Sequence, residues 1–399
     1  MKPNRKKVVL VAGVFPPGIG GMQSYYYNLS KHTKHDITVL APEYPGSEAF
    51  DEEQSFRTVR GSFMRNERAH VLSWGRLFRH VKRMMTMEKP DVTVYGYVLI
   101  GFIGLLFRLF GNRRYVISTH GMDMLMFRRF WGLNQIVRLI LVHADGVLTN
   151  SLFTQKLVED YGVDPSRISL VHPGVEAIFD KKDVNRALMQ KSSLENKYVI
   201  LSVGRLVTRK GQDRVIEAMP DILRHIPHAI YVIIGDGPDR ARLEKLAEST
   251  GVADKVLFLG SIRDNDLLNE YYNLAHQFIM VARELDKGDA EGFGIVYLEA
   301  ASAGLPVIAG RSGGALEAVL DGVTGLLVDP NDHAEIVASI VRLSQDEALR
   351  ERLVQAGYLR AKTRFQYDVL ADTFDHYVEQ LCADPLPAKR LADKRTRMN

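Results

Sequence analysis

Short apolar runs alternate with stretches of helical period along the chain. Residues 7–12, 37–40, 92–95, 115–118, 146–149 and 168–171 form one series of apolar-rich runs of strand length. Residues 198–203, 229–234, 256–259, 277–280, 306–309 and 325–328 form a second. Runs that are apolar at nearly every position read as strands buried on both faces. Between them, Val215, Ile216, Ala218, Met219, Ile222, Leu223 and Ile226 recur at i, i+3, i+4, i+7, the stripe of a helix packed on a sheet. This alternation predicts an α/β fold of parallel sheets covered by helices.

The polar stretch 180–196 separates the two series and shows no convincing strand pattern. Two doubly wound domains are therefore expected, facing a central cleft at the carboxyl ends of their strands, where ligands bind. The expected limits are 1–185 and 197–365. A C-terminal helix at 366–381 is expected to pack back on the first domain, followed by a basic tail at 382–399. The Lys2, Arg5, Lys6 and Lys7 cluster before an apolar run resembles a leader, but Pro16 and Pro17 end the run and no small-residue cleavage site follows. It is read as a first buried strand.

Length and composition narrow the picture. The 399 residues are 46% hydrophobic and 25% charged, which excludes global disorder. The single cysteine, Cys382, has no internal disulfide partner and fits a reducing compartment. The longest uncharged apolar-rich run, 92–107, has 16 residues and contains three glycines, short of the roughly 20 residues a membrane span needs. The net charge of +4 hides an asymmetry: residues 1–195 carry +9 and residues 196–399 carry −5. A basic half suits a membrane surface or a polyanion.

Five motifs carry candidate chemistry. Phe15-Pro-Pro-Gly-Ile-Gly-Gly21 follows the first strand. Its Gly20 and Gly21 either cradle a phosphate or sugar at a helix N-terminus or only make a tight turn. Gly204-Arg-Leu-Val-Thr-Arg-Lys-Gly211 puts Arg205 and Lys210 at a cleft-facing strand end, where a planar fork and a compact charge either neutralise a diphosphate or only form a solvated basic turn. Arg209 is read as solvent-facing. In Glu291-Gly-Phe-Gly-Ile-Val-Tyr-Leu-Glu299, two carboxylates able to accept sugar or ribose hydroxyls flank a glycine turn. The N–H groups of Phe293, Gly294 and Ile295 begin the following helix.

Ser312-Gly-Gly-Ala-Leu-Glu317 repeats the strand–glycine–helix pattern, with Glu317 either favouring the helix dipole or touching ligand. His120, in Ser118-Thr-His-Gly-Met-Asp123, stands at a strand end, where it donates to or shuttles a proton from an acceptor or the reacting sugar, or serves only the structure. The pairs His32/His35 and His225/His228 are read as surface residues without metal-ligand spacing. Asp264-Asn-Asp266 is read as a helix cap, and no metal is expected.

The spacing Glu291–Glu299 resembles the E-x7-E motif of retaining GT-B glycosyltransferases of family 4. The resemblance extends through the Pro-Pro-Gly-Ile-Gly-Gly loop, the 204–211 motif, Ile233-Ile-Gly-Asp-Gly-Pro238, Phe258-Leu-Gly260 and residues 313–319. Its wording is most similar to the phosphatidylinositol mannosyltransferase B-like branch. The resemblance implies two Rossmann-like domains, the first for the acceptor and the second for a GDP- or UDP-linked sugar donor. It implies that Arg205 and Lys210 bind the diphosphate, and that Glu291 binds the transferred hexose, assisted by Gly292, Phe293, Gly294 and Ile295. Glu299 would hold the ribose; Gly260, Ser261, Ile262 and Arg263 would lie near the base. Gly204, Gly313 and Gly314 would complete the donor cradle, and Gly20 and Gly21 would close on the phosphates or the acceptor. His120 matches the family's active-site histidine.

No cofactor or metal is implied. Where many relatives carry Pro-Asn-Gly-Val-Asp, this chain has His172-Pro-Gly-Val-Glu176, as the lipid mannosyltransferase branch does.

Residues 54–143 carry a net +11, interleaved with Phe63, Trp74, Leu77, Phe78, Val81, Met84 and Met85 and with the cluster from Met124 to Trp131. That mixture suits either an interfacial surface on anionic lipid or an ordinary core beneath solvated charges. With the family's first domain binding acceptor, it suggests a glycan or lipid-linked acceptor, in cell-envelope glycan or glycolipid synthesis. The expected location is cytoplasmic, peripheral at the inner face of the membrane. The competing readings are a nucleotide-sugar epimerase of the same architecture and a non-enzymatic polyanion-binding protein. No nucleic-acid module is recognisable, and no nucleic-acid partner is expected.

Overall fold

The computed structural model describes residues 5–63, 71–111, 113–128, 130–285 and 289–383. The part of the expected basic tail beyond 383 lies outside the described residues. Two compact units divide the chain: Met1–Pro173 with Tyr367–Asn399, and Gly174–Gln366.

In the first unit, β1 (Lys7–Val11), β2 (Asp36–Pro42), β3 (Arg57–Gly61), β4 (Val92–Tyr95), β5 (Tyr115–Thr119), β6 (Gly146–Thr149) and β7 (Ile168–Leu170) form one parallel sheet. Its order is β3-β2-β1-β4-β5-β6-β7. The continuous apolar runs have the physical reason expected of them. Val9 and Val11 point into a cluster with Tyr95 and Ile117, while Val8 and Leu10 point into another with Val94 and Val116. Both faces of the sheet are thus paid in apolar side chains.

In the second unit, β8 (Tyr198–Val203), β9 (Ala229–Ile234), β10 (Val256–Gly260), β11 (Gln277–Met280), β12 (Val307–Gly310) and β13 (Leu326–Val328) form a parallel sheet in the order β10-β9-β8-β11-β12-β13. Helix Gln212–His225 buries Val215, Ile216, Ala218, Met219 and Ile222 against it. In each sheet the order reverses between two central strands, β1 and β4 in one and β8 and β11 in the other. Loops leaving those strands diverge, and the gap between them is where such sheets bind ligands.

Four sequence expectations change. β3 went unread because Arg57-Thr-Val-Arg-Gly61 has a single large apolar residue. As an edge strand it needs little more. Its Arg60 is not a solvated charge: the guanidinium pairs with Asp51 at 2.6 and 2.8 Å and donates to the Pro42 and Pro16 carbonyls. The unit boundary falls at 173, earlier than the expected 185. Val175 N donates to Phe365 O, Phe179 sits in the second unit's core, and Asn269 and Asn273 hold the Asp180 carbonyl.

Helix Val71–Met87 turns its apolar side inward. Phe63, Leu77, Val81, Met84 and Met85 are core, so they offer nothing to a lipid surface. His35, expected at the surface, is 5% exposed. The C-terminal helix Tyr367–Ala383 covers it, packing on helix Gly21–His32 and adding Phe374 and Val378 to the first unit's core.

That last helix is fastened by polar contacts as well. The Asp375 carboxylate accepts from the Thr33 hydroxyl and from Lys34 N at 3.0 Å, and His35 Nε2 donates to the Asp375 carbonyl at 3.2 Å. Asp375→Ala leaves the Thr33 and Lys34 donors without that acceptor. It is expected to cost about 1–3 kcal/mol, read as a lower midpoint in urea and thermal unfolding. An unchanged midpoint would show that the fastening is not energetic.

Candidate active site

The second unit assembles most of the candidate residues on three loops at one end of its sheet. The loop after β8 runs through Gly204 to a 3-10 turn, Thr208–Lys210, and enters helix Gln212–His225 through Gly211. A side chain at Gly211 would meet Val281 O at 2.1 Å, and its φ is +76°, so only glycine lets this loop press on the strand-end backbone after β11. Below it, Asp213 and Arg283 form a buried two-pronged ion pair at 2.9 and 2.7 Å. Thr208 is held by Asp239 at 2.7 Å.

This seating carries Lys210 inward. Its Nζ lies 2.6 Å from Glu291 Oε2, and both residues are buried. Arg209 Nη1 donates to the same oxygen at 2.7 Å, and Arg209 Nε lies 3.3 Å from Asp289. The expectation that Arg209 faces solvent is therefore corrected. The short turn puts both cations on one carboxylate, and the Arg209 side chain is 21% exposed. Burial works to raise the Glu291 pKa, but the charges of Lys210 and Arg209 win and hold it at about 2. Burial pulls Lys210 downward, opposed by Glu291. Glu291 Oε1 accepts no hydrogen bond among the described residues. Arg205, by contrast, is exposed and makes no side-chain hydrogen bond or ion pair among them.

The loop after β12 rests on the loop after β11. Gly314 N donates to Glu291 O at 2.8 Å, and a Cβ at Gly314 or Gly313 would fall 2.1 Å from Gly292 O or 2.3 Å from Glu291 O. Phe293 is buried, so it offers its backbone rather than its ring. Gly294 leads into helix Ile295–Ser302. Glu299, half-buried on that helix, accepts from Tyr272 at 2.8 Å; burial first, and then Glu176, push its pKa up to about 7. Gly260 ends β10, Ser261 and Arg263 are exposed, and Ile262 packs partly against the core. Asp264 caps helix Asn265–Leu274 through Asp266 N at 2.9 Å.

In the first unit, Gly20 precedes helix Gly21–His32, and His120 directly follows β5. His120 is 9% exposed, its Nε2 lies 2.9 Å from the Tyr26 hydroxyl, and burial lowers its pKa to about 4. Sequence reasoning missed Asp123, whose buried carboxylate takes the Thr119 hydroxyl and the His120 and Val98 amides. It also missed Tyr26; neither residue has a sequence signal beyond its place near a glycine motif. No group of three or more His, Cys, Asp or Glu suited to a metal ion occurs among the described residues.

Comparison with known proteins covers most of the chain. The family description Glycosyltransferase Family 4 matches residues 19–177, and Glycosyl transferases group 1 matches residues 184–360. The chain is similar to the GDP-mannose-dependent alpha-(1-6)-phosphatidylinositol monomannoside mannosyltransferase of Mycolicibacterium smegmatis, with 32% identity over 90% of this chain and 95% of that one. In fold it is similar to sucrose-phosphate synthase from Thermosynechococcus elongatus, with a TM-score of 0.80, 21% identity and 95% and 100% of the two chains covered. The Anabaena protein HepE, solved with UDP and glucose, gives a TM-score of 0.78 at 18% identity, covering 94% of this chain and 100% of that one.

Removing the central carboxylate tests the charge balance. Glu291→Gln leaves Lys210 and Arg209 facing each other and is expected to cost about 1–3 kcal/mol at pH 7. Glu291 has a folded pKa below its ordinary 4.5, so its contribution is present above that value and is lost as pH falls toward about 2. The stability gap between the two proteins in urea titrations therefore narrows below pH 4.5. A gap that widened there would contradict the ion-pair assignment.

Proposed function

The chain belongs to glycosyltransferase family 4 and is a nucleotide-sugar glycosyltransferase of two Rossmann-like units, and on that premise we propose that it moves mannose from GDP-mannose to a lipid-linked acceptor, with retention at the anomeric carbon and without a metal ion. The observation that carries the reading is the Glu291 carboxylate held by Lys210 and Arg209 beside the β8–β11 switch point. Family membership sets aside the epimerase and the polyanion-binding protein.

Departure of a nucleoside diphosphate builds negative charge on the bridging oxygen, and preorganised cations stabilise it. Lys210 and the exposed Arg205 take that role; as Lys210 turns toward phosphate, Arg209 keeps Glu291 ionised. Glu291 Oε1 accepts sugar hydroxyls, and the amides of Phe293, Gly294 and Ile295 face the phosphates. Glu299 accepts the ribose hydroxyls, and residues 260–263 border the base. A phosphate oxygen takes the acceptor's proton on the face the diphosphate leaves. In the first unit, Gly20, Gly21 and His120 serve the acceptor and the reacting sugar. The GDP-mannose preference rests on the mycobacterial relative, with a UDP-sugar as the competing donor.

The lipid-linked acceptor is supported by a surface of the first unit. Helix Trp131–His143 packs on helices Gly101–Gly111 and Met122–Arg128, and together they leave Phe110 at 78% and Trp131 at 80% exposed, with Met126, Phe130 and Leu139 half-exposed. Arg113, Arg128 and Arg138 are exposed on or beside these helices. No helix among the described residues is long and apolar enough to cross a membrane. We infer a cytoplasmic enzyme, peripheral at the inner face of the membrane through this ridge rather than through helix Val71–Met87.

Two measurements test the proposal. In a thermal-shift panel, GDP-mannose is expected to raise the midpoint more than UDP- or ADP-sugars, approaching about 2.7 kcal/mol at a hundred times its Kd. Lys210→Ala and Glu291→Ala are expected to abolish mannosyl transfer, and full activity in both would defeat the reading. Separately, the protein is expected to float with anionic vesicles at moderate salt, and Phe110→Asp with Trp131→Asp to stay in the aqueous phase. No flotation of the unmodified chain would sink the membrane surface.

A further inference from the structure

We infer that Tyr26 is a positioning residue that fixes His120 as its Nε2–H tautomer and leaves Nδ1 as a hydrogen-bond acceptor for a substrate hydroxyl. The inference rests on the glycosyltransferase reading only for the identity of the substrate; the tautomer follows from hydrogen-bond bookkeeping. The Tyr26 hydroxyl lies 2.9 Å from the Gly96 carbonyl, 2.9 Å from His120 Nε2 and 3.2 Å from Ser118 Oγ. A carbonyl oxygen only accepts, so the one Tyr26 proton goes to Gly96. The tyrosine oxygen is then an acceptor toward the histidine, and Nε2 must carry the proton it donates. A neutral imidazole has one N–H, so Nδ1 keeps its lone pair. Nδ1 makes no hydrogen bond among the described residues.

The surroundings hold this arrangement. Burial pushes the Tyr26 hydroxyl well above its ordinary range, so its proton stays in place. His120 stays neutral above about pH 4. The groups packed on the ring are Tyr25 and Tyr26 from the first helix, both edge-on at 5.0 and 5.3 Å. Asp123, in its own loop, is satisfied by amides and the Thr119 hydroxyl rather than by the ring.

Gly96 completes the device. A Cβ there would fall 2.9 Å from the Tyr26 ring and 3.1 Å from its hydroxyl, so glycine at the end of β4 is what lets the tyrosine reach the carbonyl. His120 thereby acts as a fixed acceptor that orients a hydroxyl, not as an acid that gives a proton.

The test is long-range proton–nitrogen NMR on the full chain labelled with 15N-histidine, from pH 5.5 to 8, with His120 assigned by loss of its signals in His120→Gln. The unmodified protein is expected to show a protonated Nε2 and a bare Nδ1 across that range. Tyr26→Phe is expected to add a population with the proton on Nδ1, and Gly96→Ala to do the same by displacing the ring. In mannosyl transfer, Tyr26→Phe is expected to lower kcat by up to about tenfold with the donor KM unchanged. A proton on Nδ1 in the unmodified protein, or an unchanged tautomer in Tyr26→Phe, overturns the inference. The spectra need no donor, so absence of transfer from GDP-mannose would count against the proposed function while leaving the tautomer decided.

Discussion

A carboxylate inside a protein stays an anion only where cations or hydrogen-bond donors replace the water it has lost, and Glu291 is met by two cations on a single oxygen. The rest of the second unit's binding end is organised around that constraint. Lys210 and Arg209 reach the carboxylate because their turn sits hard against the backbone beyond β11, and it sits there because Gly211 has no side chain. Glu291 is held from behind by the loop after β12, which approaches only through Gly313 and Gly314. The Asp213–Arg283 pair fastens the first helical turn to the same floor. Polar function at the surface of this end is therefore bought with backbone contact beneath it.

Glu291 and Lys210 were legible in the chain because each stands beside a glycine in a loop that leaves the carboxyl end of a strand, and such loops in a parallel sheet share one side; Glu299 was legible from its spacing to Glu291, on the helix that follows. Arg209 was not. A basic turn reads the same whether its arginine faces water or a carboxylate distant in sequence, and the deciding partner, Glu291, is 82 positions away. Helix Val71–Met87 posed a similar ambiguity, since an amphipathic stripe beside arginines suits a bilayer and a protein core equally well. Its partner turned out to be the sheet. The exposed apolar side chains lie in part where the sequence offered them, at Met126, Phe130 and Trp131 of the Met124–Trp131 cluster, and in part at Phe110 and Leu139, which no sequence pattern singled out.

β3 and His35 escaped for reasons of position. An edge strand is buried by few neighbours and can be built from Arg, Thr and Gly, leaving no run to recognise. His35 looks like part of a hydrophilic turn between helix and strand. Only the return of a helix more than 300 residues later removes it from water. Contacts of that range have no local signature, whereas the central strands, which carry their burial in their own composition, were readable to within a residue or so.

The return of helix Tyr367–Ala383 has a consequence for synthesis. Gly174–Gln366 is continuous in the chain, but the other unit lacks Phe374 and Val378, and the fastening at Asp375, until the helix leaves the ribosome. Folding that proceeds as domains emerge would then complete the later-encoded unit first. The unit begun at the amino end would wait, with the core beside helix Gly21–His32 incomplete, until Phe374 and Val378 had been made.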